Sequence, residues 1–207
     1  MKNLCLIIFI ISFVSISAQG DKSEKLSKFE FSYSYGISYL EYAKFNPENP
    51  LNLPVSEFGS FQDLNIDYRL PKNRFIGIGF SRQQHSELID KNLNINGTGL
   101  QLSGYKNILQ TNYFDVHFRQ DFNNGFHLTF GLFYFSQIEN GLRARIFEDS
   151  IDIILFGDNI NDGGIFISPE YYFDVNQYLE IGIKAKAYYS FGIFEAITLL
   201  PTARFKF

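Results

Sequence analysis

From Phe29 onward the chain alternates apolar and polar residues with period two. Phe29, Phe31, Tyr33, Tyr35, Ile37 and Tyr39 are separated by Glu30, Ser32, Ser34, Gly36 and Ser38. That repeat puts successive side chains on opposite faces of a strand, and a helix could not use it. Leu64, Ile66, Tyr68 and Leu70 alternate with Asp63, Asn65, Asp67 and Arg69, and Ile76, Ile78 and Phe80 with Gly77, Gly79 and Ser81. Phe114, Val116, Phe118 and Phe122 face away from Asp115, His117, Arg119 and Asp121. Phe126, Leu128, Phe130, Leu132 and Tyr134 make a fifth strand. Ile165, Ile167, Tyr171 and Phe173, opposite Ser168 and Glu170, make a sixth. The seventh sets Leu179, Ile181, Ile183, Ala185, Ala187 and Tyr189 against Glu180, Gly182, Lys184, Lys186 and Ser190. The last carries Leu199, Ala203, Phe205 and Phe207, with Thr202, Arg204 and Lys206 between them.

The connections alternate in length. Pro71 to Asn73, Asn123 to Gly125 and Asp174 to Gln177 are rich in turn formers and predict tight turns. Ala43 to Glu57, Arg82 to Asn112 and Ser136 to Gly164 read as long loops, and Ile193 to Ala196 as a short fourth connection on their side. Short turns on one side and long connections on the other predict an all-β, antiparallel, up-and-down transmembrane barrel. Eight strands is the preferred count. Leu93 to Gly104 alternates weakly, which leaves ten strands as the alternative to a hairpin extending outside the membrane. Pro169 and Pro201 fall inside the sixth and eighth strands, where each deletes a ladder donor and predicts a bulge or a part above the membrane. An eleven-residue strand extends about 36 Å and, tilted by about 45°, projects to about 25 Å, the height of an apolar membrane band.

Alternation alone does not say which face is wet, since a soluble lipocalin-like barrel reads the same way with its apolar face inside. The polar face favours the membrane form. It interleaves Glu30, Asp63, Asp67, Asp115, Asp121, Glu170 and Glu180 with Arg69, Arg119, Lys184, Lys186, Arg204 and Lys206, among Gly and Ser. Seven acids nearly balance six bases, as suits a narrow lumen where charges must pair. None of the apolar-face residues named above is charged. Arginine at Ile66 or Val116 is therefore expected to be costly, and arginine at Asn65 far milder.

Composition adds a little. Aromatics reach 18% of 207 residues with no Trp, so Phe and Tyr alone supply any interfacial belt. A net charge of −4 gives no reason to expect a nucleic-acid partner. Lys2, the apolar run Leu4 to Val14, and the small residues Ser15, Ser17 and Ala18 read as a signal peptide over residues 1–18, cleaved before Gln19. Residues 19–27 read as a polar linker. Cys5, the single cysteine, falls within the signal, so the mature chain is expected to have no thiol.

The signal peptide, the aromatic hairpins and the terminal Arg204-Phe205-Lys206-Phe207 resemble the small outer-membrane β-barrel domain family over residues 28–207. The resemblance implies residence among outer-membrane lipid in a Gram-negative-type envelope. It also implies that Phe205 and Phe207 are read by the barrel-assembly machinery.

Chemistry is sparse. His85-Ser86-Glu87 holds hydrolase-like residue types, but neighbours on a strand point to opposite faces, so a polar strand-to-loop transition is the simpler reading. His117, with Asp115, Arg119 and Asp121, reads as part of a salt-bridge network before it reads as a proton relay or a weak metal site. His127 reads as a rim residue. Asn96-Gly97-Thr98 is a glycosylation sequon without meaning in such an envelope. No cofactor or metal motif occurs. The leading expectation is a non-enzymatic barrel with a structural, adhesive or binding role through long extracellular loops. A small solute or hydrophobic-compound pore, a lipid-modifying enzyme using His85 and Ser86, and a soluble exported barrel are the alternatives.

Overall fold

The computed structural model describes residues 28–40, 55–95, 98–146, 151–190 and 193–207. The signal, the linker, Asn96-Gly97, and residues 41–54 of the first long connection lie outside the described residues. Eight strands follow in order: β1 (Phe29–Leu40), β2 (Phe58–Leu70), β3 (Arg74–Ile95), β4 (Thr98–Asp121), β5 (Phe126–Ile146), β6 (Ile151–Asn176), β7 (Leu179–Ser190) and β8 (Ile193–Lys206). Each pairs antiparallel with its neighbour in the chain. The barrel closes where β1 meets β8, with Glu30 opposite Lys206 and Leu40 opposite Ala196.

The tight turns fall where the turn formers stand, with one adjustment. Asn124 takes a left-handed φ of 73°, and Lys72 and Asn73 take 65° and 53°, conformations that Asn tolerates better than most residues. β6 continues to Asn176, so the third turn is only residues 177–178. The two longest expected loops are strand instead. β3 and β4 pair up to Ile95–Thr98, and β5 and β6 up to Ile146–Ile151. Outside lipid both faces of a ribbon can be polar, so pairing persists after the alternation fades. The Leu93 to Gly104 stretch is the tip of one hairpin, and the ten-strand reading falls.

Neither proline makes a bulge or leaves the membrane band; each removes rungs on one side. The β6–β7 ladder passes from Ile167–Ala187 to Glu170–Lys184, skipping Pro169, and the β1–β8 ladder passes from Ser34–Thr202 to Ile37–Leu199, skipping Pro201. The register shifts lie elsewhere, between Ile89 and Lys91, Asp174 and Asn176, and Tyr188 and Tyr189.

The faces are inverted relative to a water-soluble barrel. Ile66, Ile78, Val116, Leu132 and Ile165 are all exposed on the outside, while Glu30, Asp63, Asp67, Arg119, Lys184, Lys186 and Arg204 are buried inside. A continuous girdle of aliphatic side chains is not stable against water and belongs in hydrocarbon. Aromatic pairs mark its two borders. Phe29 packs on Tyr68 at 5.2 Å near the short turns, and Phe80 on Phe114 at 5.1 Å toward the hairpins, where such rings bridge tails and headgroups. The soluble-barrel alternative does not survive this arrangement.

Candidate functional site: the filled lumen

The period-two repeat delivers the polar residues of every strand to one interior, and the seven acids, six bases and His117 named for that face all lie on it. At the centre is Asp63 of β2, fully buried. It accepts from Lys184 Nζ at 2.8 Å, Lys186 Nζ at 3.2 Å, Ser81 Oγ at 2.7 Å and Asn65 Nδ2 at 2.7 Å. Lys186 also donates to Asp115 Oδ2 at 2.9 Å and sits 4.3 Å above the Phe166 ring. Buried charges are tolerable when paired in this way.

His117 is held between two carboxylates, with Nδ1 2.6 Å from Asp115 and Nε2 2.8 Å from Asp67. An ionised carboxylate only accepts, so both ring nitrogens carry hydrogen and the ring is an imidazolium. This cation answers two of the lumen carboxylates at once. With both nitrogens engaged as donors, His117 has no lone pair for a metal.

Toward the short turns, Arg119 donates to Asp67 (2.9 Å), Asp121 (2.9 Å) and Glu30, and stacks 3.9 Å over Phe75. Arg204 donates to Glu170 (2.8 Å) and Glu180 (3.2 Å) and stacks 3.6 Å over Tyr172. Arg69 reaches Glu30 at 3.3 Å from a partly exposed position. Lys206 bridges Glu180 and Asp174 at the mouth. His127 is buried near this rim, edge-on to Tyr172 and 2.5 Å from Asp121.

Glycines make the room. A Cβ on Gly77 would fall inside van der Waals contact with His117 Nε2 and Asp67 Oδ1, and one on Gly79 would meet Asp115 and Asn65 in the same way. Gly77→Val is therefore expected to force the Asp67–His117 pair apart at a cost of about 1–3 kcal/mol. Nitrogen NMR of the folded barrel would show whether the imidazolium signal at His117 is lost; an unchanged signal would refute the packing.

Sequence reasoning missed the other half of the lumen. Toward the hairpins the interior is a plug of rings: Phe61, Tyr113, Phe133, Phe135, Phe166 and Tyr188, with Leu40, Leu109, Ala196 and Leu200. Tyr113 stacks on Tyr188 at 4.5 Å, and Phe133 meets Tyr188 edge-on at 5.1 Å. Ser81 joins plug to network, lying 3.3 Å from the Tyr188 hydroxyl while it donates to Asp63. A void among the charged groups measures about 10 Å³, room for one water at most.

His85 and Ser86 are not brought together. His85 faces inward and is 1% exposed, while Ser86 is on the opposite face of β3. The serine that meets His85 is Ser38 of β1, 3.0 Å from Nε2, but Ser38 is as buried as the ring and shares that nitrogen with Gln83 at 2.8 Å. It has no approach for a substrate.

No family model matches the chain, and no curated protein matches it. Among solved structures it is similar to Ail, the attachment invasion locus protein of Yersinia pestis, in complex with the heparin analogue sucrose octasulfate. That match has 8% identity over 88% of this chain and 99% of the other, with a TM-score of 0.55. It is similar also to Neisserial surface protein A, at 9% identity over 89% and 100% of the two chains, with a TM-score of 0.51. At such identities the likeness is one of fold. Eight antiparallel strands closed around a polar lumen, with an aliphatic outer band, are the architecture of small outer-membrane β-barrels, and this chain has it.

Proposed function

We propose that this outer-membrane barrel passes no solute and performs no catalysis, and that it acts by presenting its hairpins to a binding partner, in a structural or adhesive role. The supporting observation is the lumen, occupied from the short turns upward by paired charges and then by stacked rings. An eight-stranded interior has room only for side chains, and here they fill it. A pore would need a path between Tyr113, Tyr188 and Phe133. A lipid-modifying enzyme would need Ser86 beside His85.

The hairpins are the part that reaches beyond lipid, on the extracellular side if the short turns are periplasmic. β4 and β5 part company above Leu109–Glu139, and β6 and β7 pair only from Gly164–Ser190. Above those levels β3–β4 and β5–β6 are separate two-stranded ribbons. Residues 139–162 carry Glu139, Glu148, Asp149, Asp152, Asp158 and Asp162 against Arg143 and Arg145. Such a segment repels polyanions like the sulfated ligand of the Ail complex, and suits a neutral or basic surface. Export by residues 1–18 and recognition of the Phe205 and Phe207 end by the assembly machinery belong to the same reading.

Planar-bilayer recording tests it. The purified barrel is expected to give no stable open-channel steps; a large, lasting conductance would reject the sealed lumen.

A further inference from the structure

Above the Phe80–Phe114 border the outer face of β2, β3 and β4 turns polar, while that of β1 stays apolar. Ser60 and Gln62 of β2 stand opposite Ile37 and Tyr35 of β1, and at the next outward position Phe58 packs on Tyr39 at 5.4 Å. On their other side Gln62 meets Arg82 and Ser60 meets Gln84 of β3, and these in turn meet Asn112 and Gln110 of β4. Gln62 and Arg82 are exposed. A polar island is thus let into the lipid-facing surface. It has five uncharged polar side chains around one guanidinium, no acid among them, and a floor of Leu64, Phe80 and Phe114.

Arg82 differs from the cations of the lumen. Arg69, Arg119, Lys184, Lys186, Arg204 and Lys206 each pair with a carboxylate, whereas Arg82 pairs with none among the described residues. Its Nη2 donates to Gln110 Oε1. An amide whose oxygen is taken presents its NH2, so Gln110 adds donors to those of the guanidinium fork. Gln62 and Asn112 flank that fork from the strands on either side. Donors around one positive charge at the edge of hydrocarbon suit an anion. The lumen acids do not serve, because the barrel wall lies between. What the surroundings supply at that depth is lipid headgroups. We propose that Arg82, with Gln110, Gln62 and Asn112, forms a site on the outside of the barrel for the phosphate of an anionic lipid in the hairpin-side leaflet.

Arginine suits this task. Its planar fork meets two phosphate oxygens at once, while its aliphatic stem tolerates an apolar setting. Leu64 and Phe80 below the island, with Tyr35 and Ile37 beside it, give the lipid's chains an apolar wall. Free phosphate finds the same donors without that wall, so the two sources of the anion are separable. Arg74 provides the control. It lies on the same outward face of β3 at the short-turn end, opposite Leu70 and Gln120. There Gln120 spends its amide on the backbone carbonyls of Asn73 and Asp121, so no donor cluster forms around Arg74.

The test is native mass spectrometry of the full chain folded in a neutral detergent, with phosphatidic acid, phosphatidylcholine of the same chains, or inorganic phosphate added. The barrel is expected to retain phosphatidic acid in preference to phosphatidylcholine, and inorganic phosphate at equal concentration should not displace it. Arg82→Gln should weaken that retention by about tenfold or more, the worth of a charge-assisted hydrogen bond. Gln110→Leu, which keeps the charge but removes the oriented amide, should weaken it by a smaller factor, and Arg74→Gln should leave it unchanged. Gel mobility without boiling checks that each variant is folded. Equal retention of the two lipids, an unchanged Arg82→Gln, a loss in Arg74→Gln as large as that in Arg82→Gln, or displacement by inorganic phosphate would each overturn the proposal.

Discussion

Asp63→Ala is expected to destabilise the folded barrel by about 3–5 kcal/mol, the cost of breaking a buried ion pair from one side. The reason is what remains. Lys184 loses its 2.8 Å partner and Lys186 keeps only Asp115. The Ser81 hydroxyl and the Asn65 amide lose an acceptor as well. The stranded ammonium of Lys184 cannot snorkel to water past the Tyr113–Tyr188 stack on one side or the Arg204 layer on the other. Removing the stranded charge should recover much of the loss, so Asp63→Ala with Lys184→Met is expected to be more stable than Asp63→Ala alone. Urea unfolding in micelles, followed by gel mobility without boiling, gives both numbers. A single-variant cost under about 1 kcal/mol would mean that the lumen is wet and the charges are solvated.

The outer face was legible because lipid enforces it without exception along the band. From Phe29 to Tyr39 every second residue had to be apolar, and nothing else in the chain competed with that demand. The interior charges came with it, since they occupy the intervening positions. What stayed hidden was the plug, for the same reason. Around Leu132-Phe133-Tyr134-Phe135, Ile165-Phe166-Ile167 and Tyr188-Tyr189 both faces are apolar, so period two carries no contrast between lipid and lumen. A usable signal did exist, since each of these interruptions lies toward the hairpin end of its strand. His117 was partly legible, because Asp115 stands two residues away on the same face, while its second carboxylate, Asp67, is 50 positions away and reached only across β3. The true partner of His85 was not. Ser86 is adjacent in sequence and on the wrong face, whereas Ser38 is 47 positions away and reached only through the closed barrel.

The second large effect tests the direction of the two faces. Ile66 is 50% exposed, and its cross-strand neighbours Phe31 and Ile78 share its face, so it sits well inside the aliphatic band. Ile66→Arg is expected to cost about 2–4 kcal/mol, as is Val116→Arg, which lies opposite Ile78 and Leu132. The comparison with Asn65 has to be revised from the sequence-based expectation. Asn65 is 5% exposed and donates to Asp63 and Ser32, and Lys184 and Lys186 already crowd that carboxylate. Arginine there would bring a third cation and more volume into a lumen without space, so it too is expected to destabilise. The discriminating control is Ser136, on the outer face but past the aromatic border and hydrogen-bonded to Asn159 at 3.0 Å. Ser136→Arg should change stability by about 0–1 kcal/mol, because an arginine at headgroup height keeps its charge in water. If Ile66→Arg and Ser136→Arg prove equally benign, the aliphatic band does not face hydrocarbon. The inverted-barrel assignment, and with it the dry lumen on which the Asp63 penalty depends, would then be wrong.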